Sequence, residues 1–79
     1  MPNFHIKVVN EEFSVSEERN LPDAAAAREE ALRGAIAIGV DQLCDGARLF
    51  GAEVSVDEDD GEIRRFVVTV GASPRRGRA

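Results

Sequence analysis

One cysteine, Cys44, and one histidine, His5, are the only side chains of their types in this chain of 79 residues. Nucleophilic catalysis requires a nucleophile, a base within reach and a group that orients the base. Cys44 falls near the expected end of a helix, where the helix dipole disfavours a thiolate. A zinc site also needs more ligands than one cysteine and one histidine provide. We therefore predict no catalytic residue, no metal, no cofactor and no enzymatic activity.

The acidic run at residues 57–62, DEDDGE, superficially resembles a calcium-binding loop. Aligning Gly61 with the invariant glycine of such a loop places Val56 at the first ligand position and Val67 at the last. Neither valine has an oxygen ligand, so we predict a solvated hairpin turn instead. The glycine-rich loops that bind phosphate, GxGxxG and GxxxxGK, do not occur in the chain.

Charge is distributed unevenly along the chain. The net charge is −5, and without the tail arginines Arg75, Arg76 and Arg78 there remain 7 basic against 15 acidic side chains, a charge of −8. An acidic body repels the phosphate backbone, so we expect no generic nucleic-acid binding by the folded part. The tail is either a flexible solubilising end or a contact for an acidic partner, a second copy or nucleic acid.

Cysteine usage and hydropathy indicate the compartment. A single cysteine excludes a disulfide within the chain and favours a reducing environment. The N-terminus, MPNFHIKVVNEEF, has no apolar signal region, and no stretch approaches the roughly 18 apolar residues that a membrane span needs. The sequence predicts a soluble cytoplasmic protein without membrane contact.

Alternating apolar and polar residues in FHIKV and FSVS predict a hairpin of two strands. A two-residue turn at Asn10-Glu11 would place Val8 opposite Phe13 and His5 beside Ser16. The inward face would then hold Phe4, Ile6, Val8, Phe13 and Val15.

LPDAAAAREEAL, residues 21–32, is typical of a helix start. Pro22 suits the first turn, Asp23 places a carboxylate at the positive end of the dipole, and alanine has the best helix propensity. The helix is expected to end near Cys44, with Asp45-Gly46 as its stop. The stripe predicted to cover the sheet is Ala25, Leu32, Ile36, Gly39 and Leu43, flanked by Ala31, Ala35 and Ile38. Gly34 and Gly39 either allow a close approach of the helix backbone to a neighbouring element or are simply tolerated within the helix.

A second hairpin is predicted from AEVSV and RRFVVTV. A three-residue loop, 59–61, with Gly61 at positive φ, places Val54 opposite Phe66 and Ala52 opposite Val68. Leu49 and Phe50 are expected to close one end of the core. The predicted inward residues are Ala52, Val54, Val56, Phe66, Val68 and Val70.

These elements predict an α+β fold in the order β-β-α-β-β, a four-stranded antiparallel sheet with one helix packed on one face. Residues 1–72 form a single small domain, and residues 73–79 form a disordered, Arg-rich tail. A helix on such a sheet is expected to leave little room for the roughly 300 Å³ cavity that a small-molecule site needs.

The outer face of the predicted sheet is the candidate partner surface. Exposed apolar residues there, together with free strand edges, indicate a small non-enzymatic protein-interaction module that forms a homodimer or docks another protein. The alternative is a nucleic-acid-associated regulator that uses the basic tail. The residues of this surface and the tail are Lys7, Val9, Ile63, Arg65, Val67, Thr69, Arg75, Arg76 and Arg78.

Three segments carry a family resemblance. They are the Met-Pro-x-Phe start, Leu21-Pro22-Asp23 leading into a helix, and the Asp-Glu-Asp-x-Gly hairpin at 57–61. The chain resembles, from Met1 to about Val70, a family of short bacterial proteins classed as a domain of unknown function. This copy departs from the family at Asn10-Glu11, where members usually have a pair such as Asp-Gly. The resemblance implies the architecture and no catalytic residue.

Overall fold

The computed structural model describes residues 1–59, 61 and 63–74, apart from the side chain of residue 63. Within them the elements are β1 (Asn3–Val9), β2 (Ser14–Asn20), α1 (Ala24–Cys44), β3 (Leu49–Glu58) and β4 (Ile63–Gly71). The four strands form one antiparallel sheet in the order β2-β1-β3-β4, and α1 packs on one face of it. The predicted β-β-α-β-β order and α+β class are confirmed.

The second hairpin has the predicted register. Val54 lies opposite Phe66 and Ala52 opposite Val68. Gly61 has φ +96°, which favours glycine, and its N–H donates to the carbonyl of Glu58 at 2.8 Å. Of the six residues predicted to face inward, four are buried and two are partly buried against the core: Ala52, Val54, Val56 and Val68, then Phe66 and Val70.

The first hairpin differs from the prediction by two residues. Val8 lies opposite Val15 rather than Phe13, and Ile6 lies opposite Glu17. Because side chains alternate between faces with a period of two, a shift of two residues leaves each side chain on its predicted face. Val8 and Ile6 are accordingly buried, as expected.

The side chain of Asn10 accounts for the shift. Its Oδ1 accepts the backbone N–H of Glu12 at 2.8 Å and that of Phe13 at 3.1 Å, while the Asn10 N–H donates to the Phe13 carbonyl at 3.0 Å. An asparagine that bonds to the backbone two and three residues ahead forms its own turn. The loop therefore extends from residue 10 to residue 13 and moves β2 by two positions.

Both ends of α1 agree with the sequence prediction. Asp23 is the N-cap, and its carboxylate accepts the N–H of Ala26 at 2.8 Å. At the other end Gly46 has φ +110°, and its N–H donates to the carbonyl of Leu43 at 3.1 Å. These bonds form the glycine-dependent cap that ends a helix at this point.

The buried face of α1 agrees with the prediction only in part: Gly39 of the predicted stripe and Ala31 and Ala35 of its flank are buried. The residues against the sheet are Ala27, Ala31, Ala35 and Gly39. Ile36, which was predicted to cover the sheet, is 43% exposed, and Ala25 is also exposed. Leu32 and Leu43 are only partly buried at the margin of the core. The helix is thus rotated from the predicted orientation so that small residues face the sheet.

Close packing at Gly39 shows why small residues are needed. A Cβ atom on Gly39 would lie 2.9 Å from Cδ2 of Phe50 and 3.1 Å from Cγ2 of Val70. Gly34, in contrast, has no neighbour within 4 Å of such an atom. The two glycines therefore differ. Gly39 allows the helix to approach the sheet closely, whereas Gly34 makes no close contact and is simply tolerated.

Phe50 closes one end of the core as predicted, but Leu49 does not. The Phe50 ring is 3% exposed and stacks on Phe13 with ring centroids 6.2 Å apart. Leu49 is 66% exposed. Both residues belong to β3, and adjacent residues of a strand point to opposite faces, so only one of the pair can enter the core.

The two helix glycines should respond in opposite directions to alanine. We expect Gly34→Ala to raise the free energy of unfolding by up to about 1 kcal/mol, because alanine is the better helix former and the site is open. Gly39→Ala should lower it by about 1–3 kcal/mol, because the added methyl group overlaps buried side chains. Urea unfolding followed by circular dichroism measures both values. Equal stabilisation by the two substitutions would show that α1 does not approach the sheet closely.

Neighbouring valines in β4 provide a second test. Val67 is 71% exposed and Val68 is 7% exposed. Val67→Asp should cost about 1 kcal/mol or less, since only strand propensity changes. Val68→Asp should cost at least about 3 kcal/mol, because it buries a carboxylate without a partner. Urea unfolding at low protein concentration measures the difference, and comparable losses for the two variants would contradict the assigned faces of β4.

Candidate protein-interaction surface

The face of the sheet opposite α1, called the outer face below, is formed by alternate residues of all four strands. Each residue is placed there by its register with the neighbouring strand. No described element packs on this face, because the described chain has one helix and that helix lies on the other side. The residues with described side chains that fill the centre of the outer face are His5, Lys7, Val9, Ser14, Ser16, Glu18, Glu53, Ser55, Asp57, Arg65, Val67 and Thr69.

Two cations lie in one row across the outer face. Lys7 lies opposite Ser55, and Ser55 lies opposite Arg65, so a single strand separates the two cations. Two strand spacings place their backbones roughly 10 Å apart. Both side chains are exposed, and the serine between them is partly buried. This row can receive two carboxylates of a partner.

The next row combines apolar side chains with one acid. Val9 lies opposite Glu53, which lies opposite Val67. Val67 is 71% exposed, and Val9 is partly buried. Thr69, two residues beyond Val67 on the same strand, is also exposed. Arg65 and Val67 therefore present a cation and an apolar side chain side by side on β4.

The remaining residues of the predicted partner surface lie outside the described part of the chain. They are the side chain of Ile63 and the tail residues Arg75, Arg76 and Arg78. The predicted tail, 73–79, is described only at Ser73 and Pro74. The structure thus brings five of the predicted residues onto one face: Lys7, Val9, Arg65, Val67 and Thr69.

His5 occupies an acidic end of the outer face. Its Nε2 lies 3.2 Å from Oε1 of Glu18 and 3.8 Å from Oδ1 of Asp59. Asp57, opposite His5 on β3, has a buried Oδ1 without a hydrogen-bond partner among the described residues. The prediction that His5 lies beside Ser16 is wrong, because the two-residue shift of β2 brings Glu18 there. His5 and its partners are half-exposed, so each pair contributes at most about 1 kcal/mol.

A cleft of about 420 Å³ opens between the first hairpin loop and the end of α1. Its volume exceeds the roughly 300 Å³ for which the fold was expected to leave little room. The cleft lies between the loop at residues 10–13 on one side and the end of α1 with the start of β3 on the other. Its lining residues are Asn10, Glu11, Glu12, Gln42, Ala47, Leu49, Phe50 and Gly51, and these include neither Cys44 nor His5.

A smaller groove of about 170 Å³ separates β2 from α1. The sequence prediction missed it, because Val15 was expected to be covered and is instead 49% exposed. Every residue of β2 is exposed. Glu17 and Arg19 point to the inner face, and Arg19 forms ion pairs with Glu17 at 3.7 Å and with Glu30 of α1 at 3.5 Å. These two inward charges were the sequence signal that the helix does not cover β2.

No group of three or more His, Cys, Asp or Glu side chains among the described residues is arranged to hold a metal ion. In the same part of the chain, no helix combines the length and the apolar character that crossing a membrane requires.

Comparison with known proteins identifies the family. A family model described as "Domain of unknown function (DUF6894)" matches residues 3–70. The matched segment begins with β1 and ends one residue before the end of β4. A search of curated proteins and a search of solved structures each return no match. The resemblance seen in the sequence is confirmed, and the chain belongs to the DUF6894 family, a domain of unknown function.

Proposed function

We propose that this protein is a small non-enzymatic interaction module of the cytoplasm that binds a protein partner through its outer face. The observation that carries the proposal is Val67, which is 71% exposed in the middle of β4 on a face that no described element covers. A single exposed, unpaired cysteine, Cys44, suits a reducing compartment.

The surroundings of Val67 define the chemistry of the partner. An exposed valine alone is ordinary on a protein surface. Here it adjoins Arg65, and Lys7 lies in the same row as Arg65 one strand away. A partner that places an apolar side chain over Val67 and carboxylates over the two cations would complement both features. Charge pairs at such a rim direct encounter and specificity, while the apolar contact excludes water.

The positions of Cys44 and His5 support a binding role over a catalytic one. Cys44 is the last residue of α1, which lies on the inner face of the sheet, and His5 lies on the outer face. The sheet therefore separates the two side chains that could serve as nucleophile and base. The ionisable residues of the larger cleft are the turn residues Glu11 and Glu12, both exposed to solvent.

The nucleic-acid alternative depends on Arg75, Arg76 and Arg78, which lie outside the described residues. It predicts capture that disappears when nucleic acid is digested and that falls steeply with salt. The proposed protein interaction predicts capture that survives digestion and depends on the outer face.

Arg65→Glu on the bait should abolish capture of the partner, because it reverses a central charge of the outer face. Tagged wild-type protein and the variant are incubated with native lysate, half of it treated with nuclease, and recovered proteins are quantified by mass spectrometry. We expect a defined protein that survives nuclease and whose recovery falls at least about tenfold with Arg65→Glu.

Arg33→Glu is the matched control, because it makes the same charge change on the exposed surface of α1, where the Arg33 side chain is 70% exposed. Its recovery of the partner should stay within about twofold of wild type. An equal loss of partner recovery in both variants would show that net charge causes the loss, and it would contradict the outer-face site. Loss of all capture after nuclease treatment would favour the nucleic-acid alternative.

A further inference from the structure

The two edges of the sheet differ in how they are protected. β2 forms one edge and β4 the other. On β2, Glu17 and Arg19 point to the inner face, and Glu18 points to the outer face. Charged residues on an edge strand, above all inward-pointing ones, prevent pairing with another strand. The β2 edge is therefore protected against strand addition.

The β4 edge lacks that protection over most of its length. Of its nine residues, Arg64 faces inward opposite Val56 and Arg65 faces outward, whereas the next five, Phe66 to Val70, contain no charged residue. Phe66 and Val70 are only partly buried on the inner face, although α1 lies on that side. A long apolar edge of this kind is a template for pairing with a further strand.

A row of apolar residues on α1 lies beside the same edge. Arg28 begins the row, and its guanidinium lies 5.6 Å from the centroid of the Phe66 ring in β4. Residues four apart follow one another along a helix face, so Leu32, Ile36 and Val40 continue the row. Ile36 is 43% exposed and Val40 is 48% exposed. The opposite flank of the helix, with Glu30, Gly34 and Ile38, lines the groove toward β2.

We infer that a second copy of this chain pairs with the β4 edge. In this dimer the two β4 strands run antiparallel across a two-fold axis, which joins two four-stranded sheets into one continuous sheet. Ile36 and Val40 of each copy then lie on either side of the paired β4 strands and cover their inner face. One interface accounts for both the unprotected edge and the exposed apolar row.

The absence of like-charge pairs favours this edge for self-pairing. In a two-fold pairing centred on Val67, Arg65 lies opposite Thr69 of the second copy and Arg64 opposite Val70, so no like charges face each other. The corresponding pairings of β2 centred on Glu17 or Glu18 place a carboxylate directly opposite its own copy. Like charges in directly opposite positions destabilise a strand pair.

The expected interface is small. A stable dimer buries roughly 800 Å² on each partner, about one-seventh of the 5826 Å² surface of this chain. The edge of β4 supplies main-chain hydrogen bonds, and the apolar row on α1 supplies area. We expect a dimer with a Kd on the order of micromolar, at the weak end of stable interfaces.

The dimer goes beyond the proposed function and uses the edge of β4 and the helix side of the sheet, although Arg65 and Val67 lie near its axis. The outer face remains free in it, and Ile36 and Val40 lie on the helix side of the sheet. Loss of self-association and loss of partner capture can therefore be observed separately, because Ile36 substitutions leave the outer face unchanged.

Ile36→Lys should weaken the dimer. Sedimentation velocity over a concentration series is expected to give a mass approaching twice 8.6 kDa for the wild type. The variant should raise the Kd at least about tenfold, because two like charges meet across the axis. Ala37→Lys adds the same charge at the adjacent exposed position and should change the Kd less than about threefold. Circular dichroism confirms that both variants fold.

Hydrogen exchange locates the interface independently of mutation. Amides of β4 should gain protection as the protein concentration rises, while those of β2 should not. A protein that stays monomeric at roughly 100 μM, far above a micromolar Kd, would overturn the inference. So would a dimer that tolerates Ile36→Lys, or one whose added protection falls on β2.

Discussion

The close approach of α1 to the sheet is the constraint on which the rest of the structure depends. Ala27, Ala31, Ala35 and Gly39 present almost no side-chain volume, so the helix backbone lies directly on the core. At Gly39 even one methyl group would overlap Phe50. In a small domain, whose folding stability is modest, this contact allows the large side chains of the sheet, above all Phe4 and Val54, to be fully buried.

The same contact determines which surfaces are left free. With small residues against the sheet, the larger ones lie on the flanks of the helix, Ile38 toward β2 and Ile36 toward β4. The helix packs mainly on β1, β3 and β4, whereas β2 remains exposed and follows its single apolar residue, Val15, with charged ones. No described element covers the outer face of any of the four strands. Both proposed interactions, partner docking on the outer face and self-pairing at β4, use surfaces that this placement of the helix leaves open.

The sequence predicted the features that depend on local chemistry. Gly61 and the alternation of valines determined the second hairpin, and Asp23 and Gly46 determined the ends of α1. The register of the first hairpin was wrong by two because Asn10 bonds to the backbone through its side chain, which residue spacing does not reveal. The predicted buried face of α1 was right at Gly39 and wrong at Ile36, because hydrophobicity favours a large apolar residue, while packing against Phe50 requires small ones. The strand residues of the candidate surface lie on the predicted face, since the two-residue shift of β2 leaves every side chain on the same side of the sheet.

The most direct test of this account is a nuclear Overhauser spectrum that identifies which residues of α1 contact Phe50. The account predicts cross-peaks from the Gly39 α protons to the Phe50 ring and to a Val70 methyl group, with the α protons shifted by the ring current. The Ile36 methyl groups should show no cross-peak to Phe50. Cross-peaks from Ile36 to the Phe50 ring, with none from Gly39, would show that the large apolar residues face the sheet and would contradict both the close approach of α1 and the proposed dimer surface.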